Sequence, residues 1–217
     1  MNQFKHISPP PPPPIQQSID GQPLSPANYE QLEYASRQSK KIRNAAGVAA
    51  FNGYTFAIFA AISAMAAAFS LTTGEFDFIG IIITLGLGAI AHNELKGRRM
   101  LLNFDRRAPK RLGWNQLALL MLIIFYCTWN IAASRTGQSD FDRELGKNSQ
   151  FNDLYGSEIR SMEKNFTIAI YGTVIIASII FQGINAIYYF TRKRIMDEYL
   201  SKTPPWAIEV IRRTIRT

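Results

Sequence analysis

The residues of this chain with the clearest capacity for chemistry lie together in the segment HNELKGRRMLLNFDRRAPKRL (92–112). His92 and Glu94 are two residues apart, and seven lysines and arginines occupy the sixteen positions from Lys96 to Arg111. A histidine near a carboxylate suggests acid–base or metal chemistry, whereas a dense basic segment suggests phosphate or nucleic-acid binding. The choice depends on the elements that position these residues.

The His92–Glu94 pair is a weak predictor of catalysis. Residues two apart on a helix point to different sides, and a metal site needs more donors than this pair supplies. His6 is the second histidine and lies in the N-terminal segment, while Cys127 is the single cysteine, which excludes an internal disulfide. The sequence contains no glycine-rich phosphate loop, zinc-protease motif or serine elbow. We therefore expect no catalytic residue, no metal site and no cofactor.

The elements that flank the segment are long apolar runs, which are typical of membrane spans. A transmembrane helix needs roughly 17 to 25 mostly apolar residues to cross about 30 Å of hydrocarbon. The interiors of four runs contain no Asp, Glu, Lys or Arg, and all eleven prolines fall outside the runs. The predicted spans are 45–71, 76–91, 112–133 and 166–190. The expected fold class is an all-α integral membrane protein with four transmembrane helices and cytoplasmic helical extensions.

Orientation follows from lysine and arginine, which concentrate in cytoplasmic loops. The N-terminal segment has five, the 72–75 turn none, the 92–111 loop seven, the 134–165 loop five against six acids, and the chain after Phe190 seven. These counts predict that both termini and the basic 92–111 loop are cytoplasmic. The 134–165 loop is predicted to be extracytoplasmic.

The same rule accounts for the net charge of +8, which would favour nucleic-acid binding in a soluble protein. A single-strand binder needs aromatic residues among its charges, and only Phe104 is available here. We therefore predict no nucleic-acid partner, and we assign the basic residues to topology and to contact with anionic lipid head groups of the bilayer. These residues are Arg98, Arg99, Arg106, Arg107, Lys110 and Arg111.

The segments outside the runs carry patterns of their own. Residues 1–24 contain SPPPPPP and predict a disordered, proline-rich cytoplasmic tail, which is either a spacer or a ligand for an aromatic groove. A serine–proline pair predicts the start of a cytoplasmic helix over 25–44. The second span is expected to continue as a helix and to stop before Pro109. Residues 191–217 are predicted to be a helical tail whose end lies on the inner leaflet or packs on other helices.

Small residues recur at every fourth position of the first two spans. They let helix backbones approach closely, and this closeness drives association where lipid gives no hydrophobic contrast. The pattern leaves open whether the partner is the next helix or another subunit. The predicted packing residues are Ala45, Ala49, Gly53, Ala57 and Ala61 in the first span and Gly80, Thr84 and Gly88 in the second.

The run ELKGRRMLLNFDRRAPKRLGWNQLALLMLIIFYCTW (94–129) resembles a recurring segment of uncharacterised bacterial multi-span membrane proteins. The shared features are a glutamate, a basic pair, an aspartate, an Ala-Pro pair and an Asn-Gln pair that opens the next helix. The resemblance implies a multi-pass protein of a bacterial inner membrane and implies no particular activity. Asn115 and Gln116, the Asn-Gln pair, are expected to cap or cross-link helices at the cytoplasmic boundary.

The amount of predicted helix outside the bilayer and the uncharged span interiors favour a non-enzymatic protein of assembly or partner binding. Its cytoplasmic helices would meet a protein partner or a second copy of the chain. An alternative is a small channel or transporter formed by oligomerisation through the small faces. A membrane enzyme comes third.

The orientation is testable by cysteine labelling in intact cells. A cysteine introduced near Gly146 is expected to react with a membrane-impermeant thiol reagent, because the 134–165 loop is predicted to lie outside. A cysteine introduced near Asn103 is expected to be spared. The reverse labelling pattern would contradict the predicted orientation.

Overall fold

The computed structural model describes residues 25–72, 74, 76–136 and 149–216, and in 149–160 and 216 it describes the backbone alone. Within these ranges the chain is helical and contains no strand. The helices are α1 (Pro26–Thr72), α2 (Phe78–Leu102), α3 (Ala108–Thr136), α4 (Ser149–Lys202) and α5 (Pro205–Arg216). Four of them are long and apolar enough to cross a membrane, so this part of the predicted fold class is confirmed.

Some predicted segments lie outside the described residues. These are the proline-rich tail (1–24), part of the 72–75 turn, and residues 137–148 of the predicted loop. The described remainder of that loop, 149–165, belongs to α4.

Helix α1 joins the predicted 25–44 helix and the first span without a break over 47 residues. It begins where expected, because Ser25 Oγ accepts the Asn28 N–H at 3.3 Å and Pro26 occupies the first helical position. No proline follows to interrupt it before Thr72. At 1.5 Å per residue α1 is about 70 Å long, roughly twice the thickness of a hydrocarbon layer. Nearly half of α1 therefore extends beyond its apolar part.

The helices pack as two pairs, α1 with α2 and α3 with α4, which are joined where α2 meets α3. At one end, the N-terminal half of α1, the α2–α3 corner and the C-terminal part of α4 meet α5. We call this assembly the basic head and define it as residues 26–49, 97–112, 189–202 and 205–216. It carries most of the lysines and arginines of the chain.

The hydrophobic core lies in the basic head and receives side chains from all five helices. By contrast, only 6% to 17% of the most apolar window of each long helix is buried within the chain. Apolar side chains of the long helices therefore face outward, a pattern typical of helices solvated by lipid. The buried core residues are Ala35, Ile42, Ala45, Ala46, Ala49, Leu101, Phe104, Ala108, Leu112, Tyr189, Met196, Tyr199, Ala207 and Ile211.

The α2–α3 corner begins where α2 ends. Helix α2 continues past residue 91 and stops before Pro109, as expected; it ends at Leu102, and Pro109 itself lies in the first turn of α3, where proline is tolerated. The end is a Schellman motif, in which the N–H of Phe104 donates to Leu101 O at 3.0 Å and that of Asp105 to Met100 O at 2.9 Å. Phe104 takes the left-handed position of the motif with φ 57°, where glycine is usual.

Burial explains why a phenylalanine occupies this position. Phe104 is 4% exposed, and its ring centroid lies 4.9 Å from that of Tyr199 on α4. The packing of the Phe104 ring in the core thus offsets the backbone strain of its left-handed conformation.

Helix α5 settles one alternative that the sequence leaves open. Its residues Ala207 and Ile211 are buried in the core, with Trp206, Ile208 and Ile215 packed against it. The amphipathic end of the chain therefore packs on the other helices of the basic head. Pro204 and Pro205 separate it from α4, since the residue before a proline disfavours helical conformation.

Phe104 allows a test of the strained corner. Phe104→Ala removes the ring and keeps a Cβ at positive φ, so we expect a loss of about 3–5 kcal/mol in unfolding free energy. Phe104→Gly loses the same ring but also relieves a left-handed cost of roughly 1–2 kcal/mol. We therefore expect the glycine variant to be the more stable of the two in detergent unfolding experiments, the reverse of the usual order within helices. A less stable glycine variant would contradict the strain.

Candidate functional site

A buried polar cluster lies where the apolar parts of the long helices meet the basic head. It consists of Asn52 on α1, Glu94 on α2, Asn115 and Gln116 on α3, and Tyr189 on α4. We call it the Glu94 cluster. Glu94, Gln116 and Tyr189 are fully buried, and Asn115 is 6% exposed. Every long helix therefore contributes a side chain to one site.

Small residues bring the helices close enough to form the cluster. A Cβ added to Gly53 of α1 would lie 2.8 Å from the Leu95 side chain and 3.2 Å from Glu94 Cβ. A Cβ on Gly97 would overlap the Leu112 side chain, and one on Gly113 would lie 2.6 Å from the Phe190 ring. A larger residue at these positions would force the neighbouring side chains to shift, so glycine favours the close approach of α1 to α2, α2 to α3, and α3 to α4.

The carboxylate of Glu94 accepts hydrogen bonds from two helices. Asn115 Nδ2 donates to Glu94 Oε1 at 3.1 Å, and it also donates to Ile90 O at 3.0 Å. Gln116 Nε2 donates to the same carboxylate oxygen. Tyr189 OH donates to Glu94 Oε2 at 3.5 Å and accepts from Asn52 Nδ2 at 3.5 Å. The amide donors on α3 thus lie closest to the carboxylate.

All these donors are neutral. Among the residues that the structure describes, no lysine, arginine or histidine forms an ion pair with Glu94. A carboxylate removed from water is costly unless hydrogen bonds replace its hydration, so Glu94 depends on the amides and the phenol. Gln116 Oε1 is buried and has no partner within the described residues. The cluster therefore offers hydrogen bonding and proton exchange, and it holds a spare acceptor beside a carboxylate.

The metal and histidine–carboxylate hypotheses can be compared with the described ranges. They contain no group of three or more His, Cys, Asp or Glu residues that could hold a metal ion. His92 is exposed, whereas Glu94 is buried, so the pair that suggested acid–base chemistry is not brought together.

The predicted packing residues of α1 divide into two sets. Ala45, Ala49 and Gly53 are buried near the basic head, where α1 packs on α2 and the core. Further along the helix, Ala57 is half-buried and Ala61 is exposed. The small residues nearest the basic head, Ala45, Ala49 and Gly53, therefore pack against other helices of the same chain.

The predicted packing residues of α2 have separate roles. A Cβ on Gly80 would overlap the side chain of Asp77, which caps the helix by accepting the Gly80 N–H at 2.7 Å. Thr84 donates to Ser63 Oγ at 2.8 Å and so links α2 to α1. A Cβ on Gly88 would meet nothing within 4 Å.

The six basic residues assigned to topology and lipid contact lie on several sides of the corner. Arg106 lies 3.8 Å from Asp197 of α4 in an exposed ion pair, and Arg111 donates to Asn93 Oδ1 of α2. Arg98 and Arg111 are half-buried, and the other four are exposed: Arg99, Arg106, Arg107 and Lys110. The exposed four are available to solvent or to lipid.

Sequence reasoning anticipated part of the cluster. Asn115 and Gln116 were expected to cap or cross-link helices, and they do link α3 to α2. The sequence analysis does not predict the burial of Glu94. Helical spacing could have indicated it, because Glu94 lies three and seven residues before Gly97 and Leu101, which are buried on the same helix.

No known family model matches the chain, and neither a curated protein nor a solved structure matches it.

The importance of the carboxylate is testable by two substitutions and a control. Glu94→Ala leaves three buried donors without their acceptor, and we expect it to cost at least about 3 kcal/mol of unfolding free energy. Glu94→Gln keeps the volume and one acceptor oxygen, so its cost is expected to be less than half as large. Glu198→Ala is the control, because within the described residues this exposed carboxylate forms its salt bridge with Lys202, and its loss is expected to leave stability nearly unchanged. Equal effects of Glu94→Ala and Glu198→Ala in detergent unfolding would contradict the role of the cluster.

Proposed function

We propose that the chain is a four-span protein of a bacterial inner membrane, with both termini and the basic head in the cytoplasm. Support comes from four helices of sufficient length and apolarity and from their outward-facing apolar side chains. The positive charge of the head favours the cytoplasmic side, because basic loops are retained there.

We further propose that the protein acts in assembly and presents the basic head to a protein partner. The location of the hydrophobic core carries this proposal. The chain packs its core in the head, where α1, α4, α5 and the α2–α3 corner bury large residues such as Tyr189, Met196 and Tyr199. The spans contribute much less burial to the fold. A prepacked surface loses little conformational freedom on binding, which favours recognition.

The surface of the head suggests the chemistry of the partner. Tyr29 and Tyr34 on α1 and Val210 on α5 are exposed by 55%, 41% and 43%. They lie on elements that also carry exposed arginines such as Arg37 and Arg213. Tyrosine and arginine are enriched in protein interfaces. An acidic partner with apolar contacts fits this composition.

A small channel or transporter is the second candidate, and Glu94 is the observation that favours it. A buried ionisable group near the bilayer often marks an ion or proton pathway. An oligomeric pore would need surfaces other than Ala45, Ala49 and Gly53, because these residues already pack within the chain. Ala57, Ala61 and Gly88 are the predicted packing residues left for such contacts.

Site-specific photo-crosslinking in cells can separate the two candidates. A crosslinker at Tyr34 or Val210 is expected to capture a different protein, because both residues are exposed on the head. A crosslinker at Phe69 or Phe166 on the spans, which are more exposed than Tyr34 and Val210, is the control and is expected not to capture it.

A different outcome would favour the channel or transporter. Crosslinks from the spans to a second copy, together with solute flux in liposomes that Glu94→Gln abolishes, would favour the transporter and overturn the assembly proposal.

A further inference from the structure

A groove of about 510 Å³ lies between the N-terminal half of α1 and the C-terminal part of α2, at the surface of the basic head. Four basic residues line it, namely Arg37, Lys40, Arg43 and Arg98. No aspartate or glutamate lines it. We call this feature the basic groove. It is distinct from the Glu94 cluster, whose residues do not line it.

The charges of the groove are poorly compensated by the protein. Arg37 pairs with Glu33, one turn earlier on the exposed side of α1. Within the described part of the chain, Lys40, Arg43 and Arg98 form no ion pair. Like charges one turn apart on a helix repel each other, and the C-terminal end of α2 supplies only about half a negative charge. The groove thus has a strong excess of positive charge that an anion would relieve.

Part of the groove lining is apolar. Ala46, Gly47 and Ala50 belong to the start of the apolar run of α1, and Leu102 lies at the end of α2. A Cβ added to Gly47 would meet nothing within 4 Å, so the groove is open at this glycine. The basic residues of the groove are therefore accompanied by an apolar strip on α1, formed by Ala46, Gly47 and Ala50. A free phosphate would use the basic residues alone, whereas an amphiphile with an anionic head would use both.

We propose that the basic groove is a binding site for an anionic phospholipid. Its phosphate is held by Arg43, Lys40 and Arg98, and an acyl chain lies over Gly47 and Ala50. Arginine and lysine form charge-assisted hydrogen bonds with phosphate oxygens, and basic pockets between membrane helices bind lipid head groups in this way. The inference rests on the proposed membrane insertion, in which the start of the apolar run lies at the inner leaflet. It adds a defined site to the general attraction of the α2–α3 corner for anionic lipid.

The test measures lipid binding to the purified full-length protein in detergent by native mass spectrometry. Phosphatidylglycerol is the probe, and phosphatidylcholine is the neutral comparison. Arg43→Gln with Arg98→Gln is expected to weaken phosphatidylglycerol binding at least tenfold, because two phosphate contacts are lost together. Lys41→Gln with Lys193→Gln is the matched control, because it removes the same charge at exposed positions that lie outside the groove and outside the residues assigned to general lipid contact. We expect it to weaken binding less than twofold.

Gly47→Leu tests the apolar strip separately. The position is open, so the variant is expected to fold with an unfolding midpoint that is unchanged or raised. It should reduce phosphatidylglycerol binding at least tenfold by occupying the path of the acyl chain. Millimolar inorganic phosphate should displace little lipid from the unaltered protein.

Three outcomes would overturn the proposal. If the control pair weakens binding as much as the groove pair, the attraction is general surface charge. If Gly47→Leu leaves lipid binding intact, or inorganic phosphate displaces the lipid fully, the site takes a soluble phosphate. If phosphatidylcholine binds equally well, the anionic head is not recognised. All of these lipid-binding measurements are made without a protein partner. A failure of the phospholipid proposal is therefore distinguishable from a failure of the assembly proposal, which the crosslinking experiment tests.

Discussion

Glu94 is a buried carboxylate at the point where the four long helices come together. Glu94 can leave water only if donors surround it, and those donors come from α3 and α4 while Asn52 of α1 supports Tyr189. The four long helices must therefore meet at one level and in one rotational setting. Apolar contacts alone specify such a setting poorly, because they are non-directional.

The core of the basic head and the Glu94 cluster stabilise the fold in different ways. The cluster fixes the register of the helices, since its hydrogen bonds require particular distances and angles. The core, which begins immediately beside it at Ala49 and Tyr189, supplies apolar burial. Glycines at 53, 97 and 113 serve both, because they let the backbones approach until the polar atoms and the core side chains meet. A larger residue at any of these positions would disturb both the hydrogen bonds of the cluster and the packing of the core.

The positions of the helices along the chain can be predicted from the sequence, whereas most of the candidate site cannot. Apolar runs, proline positions and the Ser25 cap are local signals, so the existence of the long helices and α5 was predictable, although α4 begins at Ser149, well before the predicted span at 166. The burial of Glu94 depends on four helices meeting, and its helical spacing to Gly97 was the only local trace. The left-handed Phe104 carried no such trace, because glycine is the residue that usually marks this conformation. The charges of the groove were visible, but their convergence from α1 and α2 was not.

The unbroken length of α1 has a mechanical consequence. In the proposed membrane arrangement its first nineteen residues, 26–44, extend about 28 Å beyond the apolar run. A rigid rod turns tilt at one end into displacement at the other, so a change of 10° would move its start by about 5 Å. Bilayers of different thickness change the tilt of the helices that cross them. Because α4 and α5 are packed on the same rod, lipid thickness becomes a lateral movement of the whole head, with no hinge in α1 to absorb it.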